Sequence, residues 1–463
     1  MKVVNVSIRP TEAALQARRP ALTPELLAAT GARYSRNNEG LDSILQKIDP
    51  ENIDRSVDSI FKMIDYGHQS IADMAPVAMF IDDVSIFLAY LVWSWSPTAG
   101  GQESSTRYIR LDPGGLVAPE LLGVPEDQRT RWQDFMARCF IAYAAGLEFW
   151  ERVGEAQPQL LRLPEALLSD RTDKAQRQVA RMRRNFAFDR ARYFLPVAAR
   201  TNLMLVMSAR GWAQLCQNLL SHPLPEAQLL GTAIRSELEL SAPRLVRHAE
   251  RKTSFVAGHE AEQRDLVKVA LRHGADAPIG ATRCTSEVEV LVPPDVLDSD
   301  LTNALLDHDN RYAYVGAPVR RTAIRFSWTA VAMAEIRDLN RHRTGSKHCP
   351  LVPRGFYCAE DQLPSVAVAS PRPDRAIGDE ATSITLAALQ EGRLDYAAWT
   401  LLGTQYSFEH VTTMDKYVYE AELRTGAGAH YRYATHLRDS LNALRATLPM
   451  LASHIRTGLA EPE

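Results

Sequence analysis

Leu339-Asn340-Arg341-His342-Arg343-Thr344-Gly345-Ser346 crowds two guanidinium groups, an imidazole and two hydroxyls into little more than one turn. A guanidinium is a rigid fork of donors that matches carboxylate and phosphate geometry, so this turn concentrates anion-binding capacity. The same residues also serve a solvated helix terminus, where Arg and His complement the dipole. Upstream, Thr322 to Trp328 reads as a strand and Val331 to Arg343 as a helix. A second polar knot, Gln102-Glu103-Ser104-Ser105-Thr106-Arg107-Tyr108, follows Gly100-Gly101 and offers acceptors, hydroxyls and a fixed cation. It suits a phosphate cradle, or simply a polar turn capping a strand.

Outward from these knots the chain has the composition of a globular protein. Hydrophobic residues make up 46% and charged residues 24% of the 463, so a sizeable core and more than one compact unit are expected. Lys plus Arg number 53 against 56 Asp plus Glu, a formal charge of -3 that gives no global attraction for a nucleic-acid polymer. The five cysteines are scattered and never spaced as C-x-x-C, which points to a reducing cytoplasm and to neither a disulfide scaffold nor a metal site. His342, His348, Cys349 and Cys358 match no common zinc spacing. The start, KVVNVSIRP, is strand-like and unlike a signal peptide. No apolar run reaches the roughly 20 residues of a membrane span. The most apolar one, Ala75 to Trp95, reads as a buried helix, or as a strand followed by a helix.

Thr23 and Pro24 mark a helix start, with its end expected at Gly31, and a helical-looking stretch continues to Tyr66. Trp132 to Gly154 and Ala198 to Leu220 carry apolar residues at helical spacing. The polar, Gly- and Pro-punctuated segment between about Gly258 and Thr282 reads as a connection. Beyond it come the strand-like SEVEVLVP, a helix ending at Asn310, an exposed loop from Glu360 to Asp379, and two closing helices, one to Leu402 and one from about Asp415 to Leu444.

Taken together these segments resemble the flavin-dependent thymidylate synthases (the ThyX type), whose signature runs R-H-R-x-x-S-x-N-x-x-S-x-R-Y after a G-H-x-S-x-x-E-H segment. Gly67-His68-Gln69-Ser70 followed by Asp73 is similar to the upstream segment. Arg107-Tyr108 aligns with the final R-Y, which puts Trp95-Ser96-Pro97 where R-H-R belongs. The R-H-R half stands instead at Arg341 to Arg343, where the continuation of the signature is missing. Arg190-Ala191-Arg192-Tyr193-Phe194-Leu195-Pro196 is similar to the family's A-R-x-x-L-P, Ser208-Ala209-Arg210 to its N-A-R, and Ala32-Arg33-Tyr34-Ser35 to its A-R-V-S. A further family Arg is replaced by Leu219, while Arg424 stands at the equivalent place of the second half.

The resemblance implies an α+β, helix-rich fold of two ThyX-like lobes, each a small mixed sheet with several long helices. It places them at residues 1–257 and 285–463 around a linker at 258–284, each lobe keeping a different half of the active site. The implied reaction is reductive methylation of carbon 5 of dUMP, or of a related uracil nucleotide. FAD is the implied cofactor, with NADPH and methylenetetrahydrofolate as co-substrates. Arg192 is the implied catalytic contact to the pyrimidine. Glu103, Ser104, Ser105, Arg107, Arg192 and Arg424 are implied to hold the nucleotide, and Ser35, His68, Ser70, Arg210, Arg341, His342 and Arg343 the flavin. Two tandem chains are implied to pair as a homodimer that mimics the family's tetramer. The departures from the signature leave other flavin chemistry, or a non-catalytic partner role, as alternatives.

Overall fold

The computed structural model describes residues 1–36, 40–48, 52, 57–58, 60, 69–276, 284–364, 370 and 372–458. Strand β1 (Lys2–Val6) opens the chain. Helix α1 (Pro24–Tyr34) starts where Thr23 accepts the Leu26 N–H and Pro24 fills the first turn, and it runs through Gly31 to Tyr34. Strand β2 (Pro76–Ser85) passes directly into helix α2 (Ile86–Ser94), so the apolar run is a strand and then a helix. The turn is made by Ser85, which leaves the strand and caps the helix through the Leu88 N–H at 2.9 Å. Short strand β3 (Gly100–Glu103) and the long helices α3 (Arg129–Ala156) and α4 (Asp173–Ala191) follow.

Strand β4 (Arg200–Ser208) occupies the first part of a stretch whose spacing suggested one helix. Val206 and Met204 alternate with the more buried Leu203, Leu205 and Met207, a period of two that the helix beyond had masked. Helices α5 (Ala209–Ser221), α6 (Pro225–Ser241) and α7 (Thr253–Asp276) come next. The polar stretch expected as a linker is thus helical through Asp276, with residues 277–283 outside the described ones.

The chain continues through β5 (Ser286–Leu291), β6 (Ala323–Ala332), helix α8 (Met333–Leu339), the short β7 (Ser346–His348) and β8 (Gly355–Phe356), and helix α9 (Ala376–Gln390). Between β5 and β6 the helix expected to end at Asn310 is confined to Asp298–Asn303, and the expected loop to Asp379 gives way to α9 at Ala376. Strand β9 (Thr404–Thr413) and helices α10 (Met414–Thr425) and α11 (Tyr431–Thr447) complete the order.

Two small sheets organise these elements among the described residues. One has the order β1-β2-β4-β3, the other β5-β6-β9-β7 with β8 also on β9. Every pairing is antiparallel, which corrects the expected mixed sheets: β2 and β3, like β6 and β7, run the same way, but β4 or β9 is inserted between them in the opposite direction. The second central strands β4 and β9 lead directly into α5 and α10, just as β2 and β6 lead into α2 and α8. Both β2 and β6 carry a bulge, between Ile81 and Val84 and between Trp328 and Val331.

The chain divides into two compact units. The first holds residues 1–104, 116–123 and 199–263; the second holds 105–115, 124–198 and 264–463. In the first, Asn5 ties β1 to α6 through Glu237 and Ser241 at 2.7–2.8 Å. Glu226, fully buried, accepts the Ser85 N–H and Oγ–H at 2.7 and 2.6 Å and so fixes the junction of β2 and α2. In the second, α3 and α4 pack together, Trp132 donates to the Ala398 carbonyl at 2.9 Å, and Trp328 of β6 donates to the His436 carbonyl of α11 at 3.0 Å. Backbone hydrogen bonds from Val197 to Thr400, Leu402 to Leu195 and Gly403 to Tyr193 stitch the Arg192–Pro196 segment to the chain entering β9.

Candidate functional site

The second unit gathers the arginines of both half-signatures. Asp338, the second-last residue of α8, has a side chain only 16% exposed, and burial alone would raise its carboxyl pKa. Arg192, Arg341, Arg424 and Arg107 outweigh that and hold it down at about 2. Of these, Arg192 lies 3.7 Å from the Asp338 carboxylate and Arg424 donates to the Asp338 backbone carbonyl. Arg107 is anchored from the other side, with Nε and Nη2 on the two Asp189 oxygens at 2.7 and 2.9 Å and Nη1 on the Gly428 carbonyl at 3.1 Å. Asp189 sits near the end of α4, three residues before Arg192, so one turn carries both the cation and the counter-ion of Arg107.

Arg192 is the least satisfied member. It is 2% exposed, its Nη2 lies 3.7 Å from Asp338 Oδ2, and its Nε and Nη2 and that Asp338 oxygen have no hydrogen-bond partner. Buried donors of a charged group are almost always paired, so these orphaned atoms mark a place that a polar ligand or water completes.

Arg424, the eleventh residue of α10, donates Nε–H to His342 Nε2 at 2.7 Å and Nη2–H to the Asp338 carbonyl at 2.9 Å. Arginine cannot accept, so His342 Nε2 offers a lone pair and the ring is neutral. Burial lowers the His342 pKa to about 3, in keeping with that geometry. His410 of β9 donates Nε2–H to the Thr344 carbonyl at 2.8 Å, and its Nδ1 lies 3.2 Å from buried Glu420. The Lys347 ammonium donates to the His342 carbonyl. Gly345, at φ +76°, lets the turn close on β9, where an added Cβ would stand 2.2 Å from the Val411 carbonyl. The Arg-His-Arg turn is thus fastened from β9 and α10, with Arg343 turned outward.

That outward side is a cavity of about 540 Å³ lined by Arg311, Arg320, Arg341, His342, Arg343, Lys416 and Arg424, with Asp415 as the carboxylate among them. Tyr314 and Tyr419 add ring faces, and Arg320 donates to the Tyr314 hydroxyl at 3.1 Å. Six permanent cations around one cavity suit a ligand with more than one phosphate charge, and the tyrosines suit a planar ring. The donor set fits the diphosphate of a flavin dinucleotide. The sequence singled out Arg341, His342, Arg343 and Arg424 here. It gave no sign of Arg311, Arg320 or Tyr314, which precede β6, or of Lys416 and Tyr419, which share α10 with Arg424.

Ser105 accepts the Arg107 N–H at 3.2 Å and so shapes the turn that carries Arg107. The remaining candidates belong to the first unit. Glu103 ends β3 and accepts from Trp93 Nε1 at 3.2 Å, while Ser104 is held by backbone bonding to Asn202 at 2.9 Å. Ser35, exposed, donates to the Ala32 carbonyl at 3.0 Å beyond the end of α1, and Ser70 is exposed in the 3-10 turn Gln69–Met74. Arg210, second in α5, pairs with Asp73 at 2.8 Å and lines a cavity of about 170 Å³ with Gln69, Gln214, Gln217 and His248. His68 lies outside the described residues. Where the first half has Trp95 in place of an Arg-His-Arg turn, the indole lies 5.4 Å from the rings of both His222 and His259, and burial lowers His222 to about 4. That position is filled with rings rather than cations.

Among the described residues no group of three or more His, Cys, Asp or Glu is placed to hold a metal ion, and no helix is long and apolar enough to cross a membrane. UPF0159 protein Ta1429 of Thermoplasma acidophilum is 24% identical over 232 residues, 46% of this chain and 46% of that protein, so the likeness spans less than half of the relative. Of solved structures, flavin dependent thymidylate synthase ThyX from Helicobacter pylori, complexed with FAD and dUMP, is 15% identical with a TM-score of 0.31, covering 54% of this chain and 100% of its own. The UMP/dUMP methylase PolB from Streptomyces cacaoi, bound with 5-Br dUMP, is 16% identical with a TM-score of 0.32, covering 53% and 93%. The family model described as Thymidylate synthase complementing protein matches residues 21–244, and that segment of the chain belongs to this family.

Proposed function

We propose that the protein is a flavin-dependent methylase of the thymidylate synthase type, acting on carbon 5 of dUMP or a related uracil nucleotide. The observation that carries the reading is a cavity lined by six cations, one of which, Arg424, also donates to the carbonyl of Asp338, whose carboxylate lies 3.7 Å from Arg192. Family membership of residues 21–244 supports it independently.

In this reading Arg341, His342 and Arg343 hold the flavin diphosphate, and Arg424 and Arg107 hold the nucleotide phosphate. Neutral His342 acts by aiming Arg424, since it takes the Nε–H and leaves Nη donors for a ligand. The orphaned Nε and Nη2 of Arg192 face the pyrimidine and stabilise the negative charge that develops on the ring, an electrostatic contribution fixed before the reaction begins. When bound, FAD reduced by NADPH would supply hydride, and methylenetetrahydrofolate the carbon unit. Glu103, Ser104 and Ser105 belong to the nucleotide set, and Ser35, His68, Ser70 and Arg210 to a flavin set in the first unit.

The chain is further proposed to be two diverged copies of one lobe, 1–257 and 285–463. The corresponding order of four strands in each sheet, the paired strand-to-helix junctions and the matched bulges support this. Leu219 and Arg424 each stand eleventh in the helix that follows the second central strand, and Arg210 and Asp415 each stand second. Two such chains pairing as a homodimer would reproduce a four-lobed assembly.

Asp338, where the family has a base-contacting Gln, favours a second reading, in which the nucleotide is a uracil nucleotide other than dUMP. Incubation with methylenetetrahydrofolate, NADPH, FAD and either dUMP or UMP tests both. Methylated product from dUMP supports the first reading and from UMP alone the second, whereas no product from either contradicts the enzyme assignment.

A further inference from the structure

A file of hydroxyl groups runs through the second unit from a buried carboxyl to the surface. Glu335, third in α8 and fully buried, places Oε1 2.8 Å from the Tyr193 hydroxyl and accepts the Ala332 N–H on Oε2 at 3.1 Å. The Tyr193 hydroxyl lies 3.3 Å from that of Tyr431, which lies 3.3 Å from that of Tyr357. Tyr357 reaches Asp361 Oδ1 at 2.6 Å, and the Asp361 side chain is 49% exposed. The five groups come from four separate stretches of chain, and each ring is held from the side. Arg190 lies over Tyr431 at 4.4 Å, Arg432 over Tyr357 at 4.2 Å, and Tyr193 meets Tyr357 edge-on at 4.7 Å.

We propose that Glu335, Tyr193, Tyr431, Tyr357 and Asp361 form a proton relay that connects the buried surroundings of Arg192 with solvent. A hydroxyl both donates and accepts, so the file is complete in two orientations. With Glu335 protonated and Asp361 ionised, every hydroxyl points toward Asp361. A shift of one proton along each link breaks the Glu335 O–H bond, moves the Tyr193, Tyr431 and Tyr357 protons one oxygen outward, and leaves Asp361 protonated and Glu335 ionised. The reverse shift restores the start, with no charge left on any tyrosine.

The charges facing the file suit such a shuttle. Burial raises the Glu335 carboxyl to about 7 against the pull of Arg192 and Arg432, so both of its states are accessible near neutrality. Burial likewise pushes the three phenols upward and keeps them protonated as carriers. Arg432 lies 3.5 Å from Asp361 at the outer end. Replacement of hydrogen by a methyl group on a pyrimidine carbon releases a proton; that the relay removes it rests on the reading of the Arg192 site given above, but the relay itself does not.

The test reads protons, not turnover. Infrared difference spectra of the full chain between pH 5 and 9 should show a buried carboxylic-acid C=O band that titrates near pH 7 and is lost in Glu335→Gln. After a rapid pH jump the band should respond about tenfold or more slowly in Tyr431→Phe and in Tyr357→Phe than in the wild type, with its midpoint retained. Both variants keep the ring and its packing, so either suffices if the other fails to fold. Equal rates in the wild type and both variants, or a band that survives Glu335→Gln, would overturn the relay whether or not the protein methylates uracil.

Discussion

Arg192 shows how much of the site was written in neighbouring letters and how much was not. The Ala191-Arg192 pair and Leu195-Pro196 marked it in the sequence, whereas its partner Asp338 lies in another segment. Their ion pairing was not legible, because the partners are far apart along the chain, as are Arg107 and Asp189, separated by 82 positions. Removing one member of a buried charge cluster leaves the others uncompensated. Asp338→Asn is therefore expected to destabilise the second unit by about 3 kcal/mol, read as a lower urea midpoint. Millimolar inorganic phosphate should restore more stability to the variant than to the wild type, because a bound anion replaces the lost charge. An unchanged midpoint would contradict the role given to Asp338.

Glu226 makes the corresponding case in the first unit. Burial raises its carboxyl to about 7, against the two Ser85 hydrogen bonds that favour the anion. A folded-state pKa above the unfolded one means that the folded form keeps its proton longer. The contribution is thus complete below about pH 4.5 and is lost as pH rises through 7. Glu226→Gln keeps acceptors and donors for Ser85 without the ionisation. At pH 8 it should be more stable than the wild type, by up to about 3 kcal/mol at about 1.4 kcal/mol per pKa unit, with the advantage disappearing toward pH 4. Thermal melts of both proteins across that range check this, and a constant difference would contradict it.

At the scale of elements, β1, β5, β6 and the long helix α3 were legible because one face is more buried than the other. Strand β9 was not: Thr404, Gln405 and His410 are as buried as Tyr406 and Phe408, so its polar letters broke the alternation and it was left unassigned between two helices. The Arg-His-Arg turn depends on that hidden strand. Gly345 lies against the Val411 carbonyl in a left-handed conformation, which costs other residues about 1–2 kcal/mol before any clash. Gly345→Ala should therefore lower the denaturation midpoint and also weaken FAD binding, by displacing Arg341 and Arg343. A variant that binds FAD as the wild type does would show that the turn's position is immaterial.

At the scale of the molecule, the sequence suggested two lobes with complementary losses, and the compact units are drawn differently. Residues 105–115 and 124–198, from the family-matched half, lie in one unit with residues 264–463. This is why Arg107 and Arg192 can join Arg341 and Arg424 around one carboxylate of the same chain. The small cavity beside Arg210 in the first unit offers one arginine, against six cations in the second. A single strong flavin site per chain is thus expected. Titrating the purified protein, freed of any flavin, with FAD and following quenching of flavin fluorescence tests this most directly. The expected result is saturation near one FAD per chain, weakened about tenfold in Arg343→Ala, the loss of one charge-assisted contact. Absence of saturable binding, or equal affinity in Arg343→Ala, would contradict it.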